Sequence, residues 1–145
     1  GEIGSTGIGW DVGFIWYTYP GAASNLNYDF LEGQVAFSYD FGFLAATASV
    51  NYSDDYFGNS GEAWYPKLAI DVPVGKYLTL SAHVAKQYVE KNAVFLFPDY
   101  VEYAVGATVN VAGFDLNVTW SDTDMKDSEC NDACGMVLFS VSRSF

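Results

Sequence analysis

His83 is the single histidine of the 145-residue chain, with Ser81 two residues before it and Ser140 far downstream. A serine, a histidine and a polar orienting group are the parts of an acyl-transfer site, in which the imidazole takes the serine proton. Ser81, His83 and Ser140 all fall on polar positions of alternating segments, and no third partner is marked by its spacing. A lone histidine on a polar face is expected to be solvated or hydrogen-bonded, so no catalytic residues are assigned. A second group is the acidic run Asp122, Asp124, Asp127, Glu129 and Asp132. It has enough oxygens for Ca²⁺ but lacks the spacing of an EF-hand loop. A solvated acidic loop is the plainer expectation, with Asp122, Asp124, Asp127 and Glu129 as the candidate ligands if a metal binds. No other cofactor is expected. The third group is Cys130 and Cys134, beside Gly135 in the same loop. An oxidising compartment would pair them into a small local disulfide; free thiols and zinc are the alternatives, and zinc would want more ligands.

The remaining charges limit the partners. The formal net charge is −12, with six Lys and Arg against eighteen Asp and Glu. Phosphate recognition needs cations that this chain lacks, so no nucleic acid is expected as a partner. Half of the chain is hydrophobic and 18% is aromatic, yet no run of even ten apolar residues occurs. Helical membrane spans are thereby excluded. No Lys- or Arg-led apolar leader precedes Gly1, so any signal peptide is expected to have been removed or never included. The length suits a single domain over residues 1–145.

The elements that carry these residues alternate with a period of two, which is the strand period. Residues 1–7 read as a turn. Eight strands are expected: Ile8 to Tyr19, Tyr28 to Tyr39, Phe43 to Ser53, Glu62 to Val74, Tyr77 to Tyr88, Tyr100 to Val111, Phe114 to Ser121 and Met136 to Phe145. In the first, Trp10, Val12, Phe14 and Trp16 oppose Asp11 and Gly13. In the sixth, Val101, Tyr103, Val105, Ala107 and Val109 oppose Glu102, Gly106 and Thr108. Connections alternate between long polar loops and turns of a few residues, so all long loops lie at one end. That pattern is an antiparallel up-and-down arrangement.

Which face meets which solvent follows from the polar side. It carries Ser, Thr, Asn and Gly, where the exterior of a soluble barrel would carry Lys, Glu and Arg. Arg143 is expected to be the single charge on the eight apolar faces, near an end where its stem can snorkel. The fold class expected is therefore all-β, a transmembrane barrel with its apolar face in lipid and its polar face in the lumen. Two aromatic girdles are expected: Tyr17, Tyr19, Tyr28, Tyr52, Trp64, Tyr88, Tyr100 and Trp120 near the long loops, and Trp10, Tyr39, Phe41, Phe43, Tyr77, Phe114 and Phe145 near the short turns. The lumen would be lined by Asp11, Glu32, Gln34, Lys67, Asp71, His83, Glu102, Asp115 and Asn117. The final strand alternates Val137, Phe139, Val141 and Phe145 with serines, and Phe139, Val141 and Phe145 are the candidate signal for a barrel assembly machinery. Outer-membrane barrels of Gram-negative bacteria end in this way.

Several stretches together resemble the TorF-type porin family of proteobacterial outer membranes. They are Tyr17-Thr18-Tyr19-Pro20-Gly21, Asn27 to Glu32, Asn51-Tyr52-Ser53, Pro98-Asp99-Tyr100, the Cys130/Cys134 loop and Ser140 to Phe145. The resemblance covers essentially the whole chain, but members of that family begin with further strands. It implies a barrel of about twelve strands, of which this chain is the carboxyl-terminal part lacking amino-terminal strands. It also implies a pore.

Strand number then governs the functional expectation. Eight strands enclose a lumen that side chains fill, whereas about twelve can leave a narrow aqueous path. The lumen carboxylates outnumber Lys67, so a continuous channel would favour cations. The first expectation is a porin-like barrel for passive, cation-leaning diffusion of small solutes. The alternative is a non-conducting structural or partner-binding barrel, or one subunit of a larger assembly. The expected location is the bacterial outer membrane, with long loops extracellular and the short turns and carboxyl terminus periplasmic. The partners expected there are membrane lipid, lipopolysaccharide, the assembly machinery and other chains of an assembly.

Overall fold

The structure is a computed structural model that describes residues 1–130 and 134–143. Its architecture is one eight-stranded antiparallel sheet in which every strand pairs with its neighbours in sequence. The strands are β1 (Ile8–Tyr17), β2 (Phe30–Asp40), β3 (Ala45–Ser53), β4 (Ala63–Val74), β5 (Leu78–Val89), β6 (Tyr100–Val111), β7 (Phe114–Thr123) and β8 (Met136–Ser142). A one-turn α-helix, α1 (Asn92–Phe95), lies in the third long loop, and 3-10 turns at Ser24–Leu26 and Phe57–Asn59 lie in the first and second. The all-β, up-and-down expectation holds. No described helix is long and apolar enough to cross a membrane.

The short turns owe their geometry to local chemistry. Between β2 and β3, the Asp40 carboxylate accepts the Gly42 N–H at 2.7 Å, and Phe41 N–H bonds the Leu44 carbonyl at 2.8 Å. The β6–β7 turn has two residues, Ala112 and Gly113, both with positive φ, 52° and 82°. This is the backbone twist that a tight hairpin requires. Glycine adopts it freely, and alanine at the first position only with strain.

The sheet is not closed among the described residues: β1 pairs with β2 and β8 with β7, and β1 and β8 do not pair with each other. Closure into a barrel is the finer expectation, and two features of the edges bear on it. The amino-terminal segment folds back along the start of β1, where Trp10 N–H bonds the Gly1 carbonyl at 2.8 Å and Ile3 N–H bonds the Ile8 carbonyl at 2.9 Å. That length of edge is already occupied. In addition, β8 has seven residues and puts Met136 and Leu138 on its polar parity. Ser144 and Phe145, the end of the expected assembly signal, lie outside the described residues, as does Asp132 of the acidic run.

Burial divides the two faces. The most buried residues, including Phe30, Asn51, Ser53, Ala63, Ala85, Gln87, Val89 and Ala104, all lie on one face, here called inner, in the half nearer the long loops. The outer face exposes its apolar side chains: Phe14 is 77% exposed, Leu68 62% and Phe139 80%. Arg143 is not the single charge with outer parity. The registers Trp64↔Tyr88 and Lys86↔Val101 put Lys86 there too, three residues from the end of β5, and Tyr103↔Asp122 puts Asp122 there at the end of β7. The Lys86 ammonium lies 4.7 Å from the centroid of the Tyr88 ring, while the Arg143 guanidinium lies 4.9 Å from that of Phe114.

Candidate functional site: the inner face

Strand parity brings the polar side chains to the inner face, and the registers set them in rows across the sheet. One row runs Ser49, Lys67, Ala85, Glu102, Thr123; the next runs Gln34, Asn51, Tyr65. Three hydrogen-bonded groups result. Asn51 Nδ2 donates to Glu32 Oε2 at 3.1 Å, and Gln34 Nε2 donates to Asn51 Oδ1 at 3.0 Å. Glu32 is 8% exposed, so this amide is what offsets the cost of covering its carboxylate. Tyr65 Oη donates to Glu102 Oε2 at 2.6 Å, and His83 Nε2 lies 3.2 Å from Glu102 Oε1. Asn117 Nδ2 donates to Thr108 Oγ1 at 2.9 Å, and Thr119 Oγ1 donates to Asn117 Oδ1 at 2.9 Å.

The Tyr65–Glu102 bond joins β4 to β6 and passes over β5. Ala85, which stands between Lys67 and Glu102 in register and is 3% exposed, is small enough to let the phenol cross. Gly106 serves a similar purpose lower down: a Cβ there would meet Thr119 Oγ1 at 2.7 Å and Ser81 Oγ at 2.8 Å. The hydroxyls of Ser49 and Ser53 are buried without a protein partner. Polar atoms so placed are normally satisfied by solvent.

Above these groups an aromatic cap covers the long-loop half. Tyr17 stacks on Phe30 at 4.5 Å, Phe30 meets Tyr56 at 4.5 Å, Tyr56 meets Phe95 at 5.4 Å, and Phe95 meets Phe97 at 5.4 Å. Tyr28 stacks on Phe57 at 4.2 Å, with Tyr19 against both. Burial pushes the Tyr56 phenol well above the ordinary phenol range, and Tyr100 and the Glu32 carboxylate act in the same direction. The expected long-loop girdle is thus divided. Tyr52, Trp64, Tyr88 and Trp120 have outer parity, while Tyr17 and Tyr100 share the parity of the inner face, and Tyr19 and Tyr28 belong to the loop before β2.

Of the residues expected on the lumen side, Glu32, Gln34, Lys67, His83, Glu102 and Asn117 line the inner face at its centre. Asp11 and Asp71 are exposed, and Asp115 sits by the β6–β7 turn, accepting from Asn110 Nδ2 at 2.8 Å. Ser81, Ser140 and His83 form no serine–histidine hydrogen bond among the described residues; His83 is engaged with Glu102. The acidic loop gathers no set of three metal-binding side chains among the described residues. Three of the carboxylates bond backbone N–H groups instead: Asp124 Oδ1 accepts Val101 N–H of β6 at 2.7 Å, Asp122 Oδ1 accepts Thr123 N–H at 2.8 Å and Glu129 Oε2 accepts Lys126 N–H at 2.9 Å. Cys130 and Cys134 are joined in a disulfide, as the spacing favoured. Tyr65 is an inner-face residue beyond those expected, and its parity with Lys67 is the signal that marks it. Tyr56, Phe57 and Phe95 lie in loops, where no periodicity marks an inward side chain.

These features define the class: an antiparallel β-meander with an apolar outer face and a hydrogen-bonded polar inner face. The chain belongs to the family described as Bacterial protein of unknown function (Gcw_chp), whose model matches residues 1–145. No curated protein and no solved structure matches it.

Proposed function

We propose that this chain is the wall of a porin-like outer-membrane barrel that carries small solutes passively and favours cations. The observation that supports this reading is the division of the sheet: an exposed apolar face on all eight strands, backed by a polar face whose groups bond to one another. An apolar surface of that extent is unfavourable in water and favourable in lipid. In lipid, both sheet edges must be paired, so β1 and β8 would meet each other, further strands or other chains. Glu32 and Glu102 hold the carboxylates nearest the centre of the inner face, with Lys67 as the one inner-facing lysine of the described strands. That balance attracts cations to the path. The resemblance to TorF-type porins is consistent with it.

A second reading rests on the aromatic cap. Phe30, Tyr56 and Phe95 cover the long-loop half of the inner face, and a barrel capped in this way would be closed to solutes and would act as a structural or partner-binding element. Conductance of the purified chain in a planar bilayer under a KCl gradient separates the two. Steady steps with a cation-selective reversal potential support the porin, and Glu102→Gln should weaken that selectivity. A folded, inserted chain that passes no current supports the capped barrel.

A further inference from the structure

Lys86 is the one lysine within a described strand that has outer parity, and among the described residues no carboxylate pairs with it. In a chain of net charge −12, a cation on the apolar face at the long-loop end calls for a reason, Arg143 being the other cation of that face and standing at the short-turn end. Its surroundings supply one. The β4–β5 register passes from Trp64↔Tyr88 to Lys67↔Ala85 and omits Tyr65 and Pro66. Proline has no N–H to give to a ladder, so the sheet opens locally where Pro66 stands opposite Lys86. A groove of about 360 Å³ lies there, and its lining includes Pro66, Leu68, Val84, Lys86 and Val101 together with Lys67, whose strand position has inner parity. Ala48 of β3 and Pro66 and Leu68 of β4 contribute to its lining, and the Lys86 ammonium lies 4.7 Å from the centroid of the Tyr88 ring.

An apolar groove with one outward-facing cation, Lys86, beside an interfacial tyrosine has the chemistry of a lipid site: acyl chain below, phosphate above. We propose that this groove binds one phosphate-bearing lipid of the leaflet next to the long loops, with its phosphate on Lys86 and an acyl chain along Pro66, Leu68 and Val84. The inference rests on the membrane reading above and goes beyond it by assigning a residue and a ligand class. A free phosphate ion would have no use for the groove, so the lipid is the occupant to test.

The test uses the full chain in detergent, with diphosphoryl lipid A and its dephosphorylated form titrated separately and bound lipid counted by native mass spectrometry. The phosphorylated form should be held more tightly, and Lys86→Met should weaken its binding about fivefold, the usual effect of one cation near a membrane surface. Lys76→Met, which removes a charge at the opposite end of the sheet, should leave binding unchanged, and inorganic phosphate should not compete. Methionine suits a lipid-facing position, and unchanged heat-modifiable mobility would show that Lys86→Met folds. Equal binding by Lys86→Met and the parent chain, or displacement by inorganic phosphate, would overturn the lipid site. If the parent chain does not enter vesicles at all, the membrane reading falls and the lipid site with it; insertion with equal binding removes the lipid site alone.

Discussion

Tyr65 on β4 donates its phenol hydrogen to Glu102 on β6 at 2.6 Å, across a strand whose Ala85 is 3% exposed. The bond orients Glu102, which also faces His83 at 3.2 Å, and ties three strands together on the inner face. Tyr65→Phe should cost about 1 kcal/mol in urea unfolding from detergent, the usual net value of one hydrogen bond. Ala85→Leu should cost more, about 1–3 kcal/mol, because it fills the crossing as well as breaking the bond. Should the double variant cost no more than Ala85→Leu alone, the two act through the same contact. Full additivity would separate them.

Face assignment is tested by a pair of arginines on one strand. Val105 is 54% exposed on the outer face of β6, and Thr108 lies on its inner face, opposite Thr79 and Asn117. Val105→Arg should block assembly into membranes, at a cost of about 2–4 kcal/mol near the bilayer centre. Thr108→Arg should assemble. Recovery of both from the membrane fraction in heat-modifiable form would mean that the sheet faces the other way.

Much of this was legible in the chain because one rule governs strands. Alternation with period two located all eight, and β6 begins and ends at the expected Tyr100 and Val111. The same rule placed Glu32, Gln34, Glu102 and Asn117 together, since parity and register leave a strand residue little choice of face. The same rule gives Tyr65 inner and Lys86 outer parity. What it could not give lies outside strands. Tyr56 meets Phe30 of the inner face and Phe95 packs on Tyr56 because the long loops fold over the sheet, and loop direction follows from tertiary packing. The fate of the two edges is likewise not written in any periodicity, and the hairpin of Gly1 to Ile3 on β1 came from the structure alone.

The cap carries its own pH dependence. Folding removes the Tyr56 phenol from water and raises it above its ordinary value of 10.0, so the neutral form belongs to the folded state. A raised folded pKa contributes stability that is complete below about pH 10 and is lost as the pH rises toward the folded value. In a difference titration between the parent chain and Tyr56→Phe, followed by phenolate absorbance, Tyr56 should ionise after the exposed tyrosines. The long loops should loosen over the same alkaline range. Ionisation together with the exposed phenols would show that the cap does not cover it.

All four tryptophans, Trp10, Trp16, Trp64 and Trp120, have outer parity, on strands β1, β4 and β7. Their shared fluorescence therefore reports on the solvent of that face. The most direct measurement reconstitutes the chain into vesicles of acyl-brominated lipid and, separately, exposes it to aqueous iodide in ordinary lipid. A membrane wall predicts strong quenching by the brominated chains and weak quenching by iodide. Strong quenching by iodide with none by brominated lipid would contradict it, because the apolar face would then be meeting water.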